Sequence, residues 1–257
     1  MTEQPASAAG AGHALLLAAG RGERMRPLTD TCPKPLLEVR GKPLMQWPIE
    51  ALTRGGFDTI VINTAWLGDR IAAHYGHSRE WTPAQRTTFR YSDEQADFGG
   101  ALETAGGIVR ALPLLRDIFW VVAGDVYMPD FVFEAQAVER FARGGKLGHL
   151  WLVPNPPHHP RGDFGLSSEG LATQGDGVGT ADRLTFSTVG LYRRELFEAP
   201  FCDIPPGNPQ GVRAPLAPLL RAAIDRRQIG AERYTGAWTD VGTPERLEAL
   251  NRSVADR

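Results

Sequence analysis

The stretch His13-Ala-Leu-Leu-Leu-Ala-Ala-Gly-Arg-Gly-Glu-Arg-Met-Arg-Pro-Leu-Thr29 decides the fold. Its opening, His13 to Ala19, is a near-continuous apolar run that stops at Gly20, as expected of a strand buried on both faces of a sheet. Asp58-Thr-Ile-Val-Ile-Asn63 and Ile118-Phe-Trp-Val-Val-Ala123 repeat that pattern, and Thr88-Phe-Arg-Tyr91 is a shorter version. Between these runs the spacing turns helical: Leu44, Trp47, Ala51 and Leu52 share a face after Pro43, and a second helix fits Thr104 to Leu112. Pro48 is expected to kink the first helix. Strand alternating with helix predicts an α/β fold with a mixed, mostly parallel central sheet and helices on both faces. In such sheets ligands bind beyond the carboxyl ends of the strands, which singles out the loops after Ala19 and after Ala123.

The second half reads differently. Leu147 to Val153 and Leu184 to Tyr192 are strand-like, separated by a Gly/Asp/Ser-rich stretch from Gly162 to Asp182. After Pro215, Leu216, Leu219, Leu220, Ala223 and Ile224 trace one helical face, and Thr243-Pro244 is an N-cap followed by proline at the first helical position. No repeat or linker divides the chain, so one domain over 13–257 is expected behind a flexible extension at 1–12. That extension carries no Lys or Arg, unlike a secretory signal, and no apolar run nears the ~18 residues of a membrane span. With only Cys32 and Cys202, and no CxxC, the chain is expected to be cytoplasmic with inert thiols.

The 257 residues are 42% hydrophobic and 23% charged, which excludes a disordered chain. A net charge of −2 supplies no global field to attract nucleic acid or a lipid surface, so an anionic ligand has to be held by local donors. The glycine loop offers them. Gly20 and Gly22 let the backbone turn and present N–H groups, while Arg21, Arg24, Arg26 and Lys34 fall within fourteen residues of one another. A dinucleotide fingerprint lacks its third glycine, since Met25 stands there, and a P-loop lacks its Gly-Lys-Ser/Thr. On the residues alone, a polyphosphate cradle and a basic surface turn both remain open.

The motif Leu-Ala-Ala-Gly-x-Gly-x-Arg-Met-x-Pro-Leu-Thr, followed by Pro33-Lys34-Pro35-Leu36, resembles the opening of the sugar-nucleotide pyrophosphorylases, which are nucleotidyltransferases. The resemblance covers nearly the whole chain from about residue 13 and implies a Rossmann-like fold of the nucleotide-diphospho-sugar transferase type. It further implies that the loop with Ala18, Ala19, Gly20 and Gly22 wraps a nucleoside triphosphate. Arg24 would hold the departing pyrophosphate, and Lys34 would contact phosphates at the reacting centre.

Two polyanions that react with each other need charge neutralised between them, and magnesium on one or two carboxylates is the usual solution. Asp125 ends the buried run Val121-Val-Ala-Gly-Asp125, where capping the next turn is an equally good local reading. The resemblance assigns Asp125 to the metal and the nucleotide, and Asp240 of Trp238-Thr-Asp-Val-Gly-Thr243 to the metal and the substrate. Glu103 and Gly106, in Leu102-Glu-Thr-Ala-Gly-Gly107, correspond to the segment that meets the nucleobase. Read locally, they are also a helix cap and a close backbone approach, and Ala105 stands where the family more often has glycine.

Asn155-Pro-Pro-His-His-Pro-Arg-Gly-Asp-Phe164 bears on the sugar. Adjacent histidines on an extended chain point apart, so His158 and His159 are not expected to share a zinc ion. The pattern resembles the uridylyltransferases that act on N-acetylmuramic acid 1-phosphate in cell-wall recycling, which implies UTP and that sugar 1-phosphate as substrates. Asn155 and Asp163 suit sugar hydroxyls or an N-acetyl group, and Arg161 suits a carboxylate as a bidentate partner or is simply exposed. The chain departs from these relatives at 175–182 and at Thr188-Val-Gly190, where they carry a Gly-Ile-Ser type of sequence. Another sugar 1-phosphate with another base, and a non-catalytic sugar-nucleotide-binding subunit, remain alternatives.

Overall fold

The computed structural model describes residues 12–82, 85–175 and 183–252. The expected extension, apart from Gly12, and most of the 175–182 departure lie outside the described residues. Among these residues ten strands form one sheet. They are β1 (His13–Leu17), β2 (Thr59–Thr64), β3 (Ser78–Thr82), β4 (Gln85–Asp93), β5 (Ile118–Ala123), β6 (Gly148–Val153), β7 (Phe164–Leu166), β8 (Ala172–Thr173), β9 (Arg183–Arg193) and β10 (Ile229–Arg233). The principal helices are α1 (Gln46–Arg54), α2 (Gly68–Tyr75), α3 (Glu103–Ala111), α4 (Ala135–Gly144), α5 (Leu216–Asp225) and α6 (Pro244–Arg252).

The strand order runs β8-β7-β9-β5-β1-β2-β4-β3, with β6 on β9 and β10 on β6. The four strands β5, β1, β2 and β4 are mutually parallel. The chain leaves β1 toward β2 and β4, then crosses back to place β5 on the other side of β1. That reversal makes the carboxyl end of β1 the switch point at which such sheets leave a crevice. Register sharpens the geometry. Leu17 lies opposite Asn63 on one side and Ala123 on the other, and Asn63 lies opposite Ser92. The strand ends are level, so the loops that follow them open on one edge.

Side-chain alternation along β1 builds both faces of the core. Ala14 and Leu16 pack with α1 residues Ile49 and Leu52 and with Trp120 of β5. Leu15 packs with Ile108 and Val109 of α3 and with Leu219, Leu220 and Ala223 of α5. Helices therefore cover both faces, as the sequence pattern requires. Pro48 does not break α1. It is the third residue of the helix, where an N–H would have no intrahelical acceptor, so its ring costs no hydrogen bond. A third, smaller cluster joins Met25, Leu44, Tyr127, Val241 and Leu247, and seats the glycine-loop segment against α6.

Two local features shape the edge where the strands end. The first is a buried relay. Asn63 accepts a hydrogen bond from the Ala18 N–H (2.8 Å) and donates to Glu94 Oε1 (2.8 Å), while Glu94 Oε2 accepts from the Leu102 N–H (2.7 Å). Gly107 has to be glycine here, because a Cβ would stand 2.6 Å from Glu94 Oε1. The second is a register shift in β9 between Phe186 and Gly190, where Thr188 takes φ +67°. A β-branched residue in that region costs about 1–3 kcal/mol.

Glu94 is fully buried, and burial, the largest influence on it, raises its pKa above the usual 4.5. A raised carboxyl pKa stabilises the fold below the unfolded-state value, and that contribution is lost as pH climbs through the folded-state value. Wild-type stability is therefore expected to fall, relative to Glu94→Gln, as pH rises above about 4.5. Urea unfolding of both proteins across that window checks the difference in slope; parallel profiles would contradict it.

Candidate active site

A cavity of ≈ 570 Å³ opens at the switch point and is lined by Leu17, Ala18, Ala19 and Gly20 of the glycine loop, Lys34, Asn63, Glu103, Asp125 and the β9 residues Phe186, Thr188 and Tyr192, with Leu216 and Leu220 of α5. Both loops that the strand pattern singled out thus meet in one place. The Ala18 N–H is committed to Asn63, whereas the N–H groups of Ala19 and Gly20 donate to no described residue. A Cβ at Gly20 would meet nothing within 4 Å, so the backbone there stands open to a ligand.

Gly22 does different work. It takes φ +69°, and a Cβ would lie 3.1 Å from Thr29 Cγ2 and 3.2 Å from Lys34 Cβ, so its bare backbone lets Lys34 close in. Thr29 Oγ1 donates to the Gly22 carbonyl (2.9 Å), which fixes that turn. Lys34 is buried and its Nζ reaches Asp125 Oδ2 at 2.5 Å. The pair places one cation and one carboxylate at the mouth of the loop, both facing the cavity.

The four basic residues of this segment divide into two kinds. Arg21 donates to the Thr29 carbonyl (2.9 Å) and to Asp30 (3.1 Å), and stacks 3.8 Å over the Trp66 ring. Arg26 donates to the same Asp30 (2.8 Å). Their charges brace the loop, so of the four cations only Arg24 and Lys34, the two that the resemblance assigns to phosphate, are not spent on holding this turn. Arg24 is exposed and makes no hydrogen bond or ion pair with any described residue. Its Nη2 lies 3.3 Å from where a Cβ on Gly242 would stand, and Asp240 Oδ2 is equally near that point.

Asp125 and Asp240 are far apart in sequence, yet the fold sets them side by side. Val126–Tyr127 pairs with Thr239–Asp240 as a short antiparallel ribbon, and the Val241 N–H donates to the Asp125 carbonyl (3.0 Å). Asp240 Oδ2 takes Arg246 Nη1, which also donates to the Asp240 carbonyl (3.0 Å). Asp240 Oδ1 is buried without a hydrogen-bond partner, although His158 Nε2 stands 2.8 Å away, off the alignment such a bond needs. Among the described residues no group of three or more His, Cys, Asp or Glu gathers as a metal cage. Two carboxylates, one with an oxygen left over, match a hard cation that takes its remaining ligands from phosphate and water.

On the base side, Glu103 is exposed, lines the cavity and takes φ +60° at the first residue of α3. Gly106 is buried away from the lining. A Cβ there would stand 2.5 Å from the Val212 carbonyl, so a close backbone approach accounts for this glycine without a ligand. On the sugar side, Asn155 bonds Thr185 and the carbonyls of Pro160 and Arg183. Asp163 takes the Phe186 N–H (2.8 Å) and faces His159 at 3.1 Å. These two side chains tie the 155–163 loop to β9, which leaves them little capacity for a sugar. Arg161 is exposed with no described partner. The histidines point apart, one toward Asp240 and one toward Asp163.

Sequence reasoning missed Asn63, Glu94 and Arg246 as parts of this site, and placed His158 in the 155–164 motif without its approach to Asp240. Of the three, only Asn63 carried a signal, as a polar residue closing an apolar strand at the ligand edge. The others act through contacts between distant segments.

Comparison with known proteins fits this geometry. A family model described as nucleotidyl transferase matches residues 13–179. The N-acetylmuramate alpha-1-phosphate uridylyltransferase of Neisseria meningitidis serogroup B is 46% identical over 91% of this chain and 95% of its own length. The protein of the same name from Caulobacter vibrioides is 30% identical over 95% of this chain and 97% of its own. The structure of a putative glucose-1-phosphate thymidylyltransferase from Bacillus anthracis superposes with a TM-score of 0.73 at 18% identity, covering 95% of this chain and 96% of that one. The chain belongs to the nucleotidyl transferase family.

Proposed function

We propose that this chain transfers UMP from UTP to N-acetylmuramate α-1-phosphate, giving UDP-N-acetylmuramate and pyrophosphate, as a cytoplasmic step of peptidoglycan recycling. The glycine loop, Lys34 and Asp125 line one cavity, with Asp240 on the short ribbon paired beside Asp125, and this arrangement supports the reaction class. The 46% identity to the Neisseria uridylyltransferase along almost all of both chains supports the choice of sugar and base.

An oxygen of the sugar phosphate attacks the α-phosphorus of UTP, and the bond from that phosphorus to the bridging oxygen breaks as pyrophosphate leaves. The attacking oxygen is already ionised, so no residue has to remove a proton. The work of the protein is positioning and charge neutralisation. Ala19 and Gly20 present free N–H groups to the triphosphate. Lys34 stands where both substrates bring negative charge, held there by Asp125 until phosphate competes for its ammonium. Arg24, with no partner among the described residues, is placed to take the departing pyrophosphate beside Asp240. Glu103 and the neighbouring backbone bound the end of the cavity that would receive uracil. Asp125 and Asp240 would hold magnesium, which supplies charge neutralisation on the phosphate oxygens when bound.

Asp125→Asn and Asp240→Asn are each expected to lower kcat by roughly 10²–10³-fold, the scale of losing one preorganised electrostatic contact. Pyrophosphate release in saturating magnesium measures this, and full turnover in either variant would remove that residue from the metal site. The substrate assignment is tested by the same assay with UTP or GTP against the 1-phosphates of N-acetylmuramate, N-acetylglucosamine and mannose. The expected result is a kcat/KM at least about tenfold higher for UTP with the muramate. Equal or better turnover of another pair would overturn it.

A further inference from the structure

Both oxygens of Asp240 are closed off by side chains of this chain, and by two different means. Oδ2 takes Arg246 Nη1, while Oδ1 has almost no accessible surface and no hydrogen bond. The group that stands against Oδ1 is the imidazole of His158, whose Nε2 lies 2.8 Å away. At that distance no atom fits between them, yet the direction is not that of a hydrogen bond. The imidazole therefore shuts this oxygen in without satisfying it, and a buried carboxylate oxygen left in that way is costly.

The two neighbours of Asp240 are held with unequal strength. Arg246, on α6, also donates to the Asp240 carbonyl (3.0 Å), so its grip is built into the ribbon. His158 lies in the loop between β6 and β7, its side chain is 36% exposed, and its ring has no other partner among the described residues. That loop is fastened on either side of it. Asn155 donates to the carbonyls of Pro160 and Arg183, and Asp163 accepts from the Phe186 N–H. The adjacent His159 faces Asp163 at 3.1 Å and has no part in the contact with Asp240. His158 can thus turn into solvent by side-chain rotation alone, with the loop still fastened, whereas Arg246 cannot leave without breaking two bonds.

We propose that His158 is a positioning residue that covers Asp240 Oδ1 and competes with a divalent cation for it, so that the ion gains the second carboxylate only when this imidazole turns away. The inference rests on the reading of Asp125 and Asp240 as the ion's carboxylates. The apparent affinity for the ion is then lowered in proportion to the fraction of time for which the oxygen is covered. Because the imidazole belongs to the loop on the sugar side, the same movement links uptake of the ion to that loop.

Binding of manganese alone, with no nucleotide or sugar phosphate present, tests it; electron paramagnetic resonance counts the free ion as the full-length protein is titrated. His158→Ala and His158→Ser both delete the ring, and either one that melts cooperatively suffices. Each is expected to bind manganese about three- to tenfold more tightly than wild type, the scale of one such contact. His159→Ala, which leaves the contact with Asp240 intact, should stay within about twofold, since an exposed pair of that kind contributes little. Asp240→Asn should bind more weakly than wild type. The inference alone is overturned if Asp240→Asn weakens binding but the ring-deleted variants bind no more tightly than wild type. Weaker binding in those variants would make His158 a ligand of the ion and not its competitor. An equal gain in His159→Ala also overturns it, because loosening of the loop would then be the cause. If Asp240→Asn leaves the affinity unchanged, Asp240 is not a carboxylate of the ion, and the reading beneath the inference falls together with it.

Discussion

The level pairing of β1 with both of its neighbours governs the site. Leu17 faces Asn63 and Ala123 across the two parallel ladders, so three strands end in one row. A slip of one residue on either side would turn every side chain of that strand to the opposite face and separate the loops. Because the row holds, the glycine loop, Asn63 and Asp125 emerge together where the strand order reverses. The buried relay from Ala18 through Asn63 and Glu94 to Leu102 then fixes the spacing between the glycine loop and the start of α3. The third core cluster plays the same part on the outer side, pinning Met25 against Val241 and Leu247.

On that frame the charges are distributed sparingly. The chain is close to neutral, with a net charge of −2, and most of the loop's cations already have partners. Asp30 takes both Arg21 and Arg26, so the loop is held in shape before any ligand arrives. Among the described residues Arg24 has no ion-pair partner, and Lys34 pairs with the carboxylate it would share with substrate. Preorganisation of this kind limits the reorganisation that binding a polyanion would otherwise require. The Arg246–Asp240 pair extends the same logic to the second carboxylate, orienting one oxygen and leaving the other.

The fold was legible wherever burial on both faces left an uninterrupted apolar run. Ile118–Ala123 reads directly as β5, and the Leu216 face reads directly as α5. Short or edge elements left little trace. Ser78–Thr82 is a largely exposed edge strand in which Trp81 is the single apolar residue packed on the core, and the Val126–Tyr127 and Thr239–Asp240 ribbon is only two residues long. Pro48 misled because its effect depends on its position in the helix, which the apolar spacing alone did not fix. The carboxylate pair was reached through family resemblance, since no local pattern links residues separated by more than half the site's sequence. Side-chain roles were the least legible. Arg21, Gly106, Asn155 and Asp163 are types that bind ligands elsewhere, and here distant segments occupy them. Glu94 becomes significant only through its burial beside Asn63 and Gly107.

The proposed function requires one crevice, at the carboxyl end of β1, to hold both the triphosphate and the ion between Asp125 and Asp240. A crystal structure of the protein with magnesium and a UTP analogue that resists transfer tests it most directly. The account predicts phosphates over Ala19 and Gly20, within reach of Lys34, with the ion on both aspartates. A nucleotide seated elsewhere, such as the smaller cavity beside His149 and Glu232, would contradict it. So would phosphates in this crevice with the ion bound to neither carboxylate.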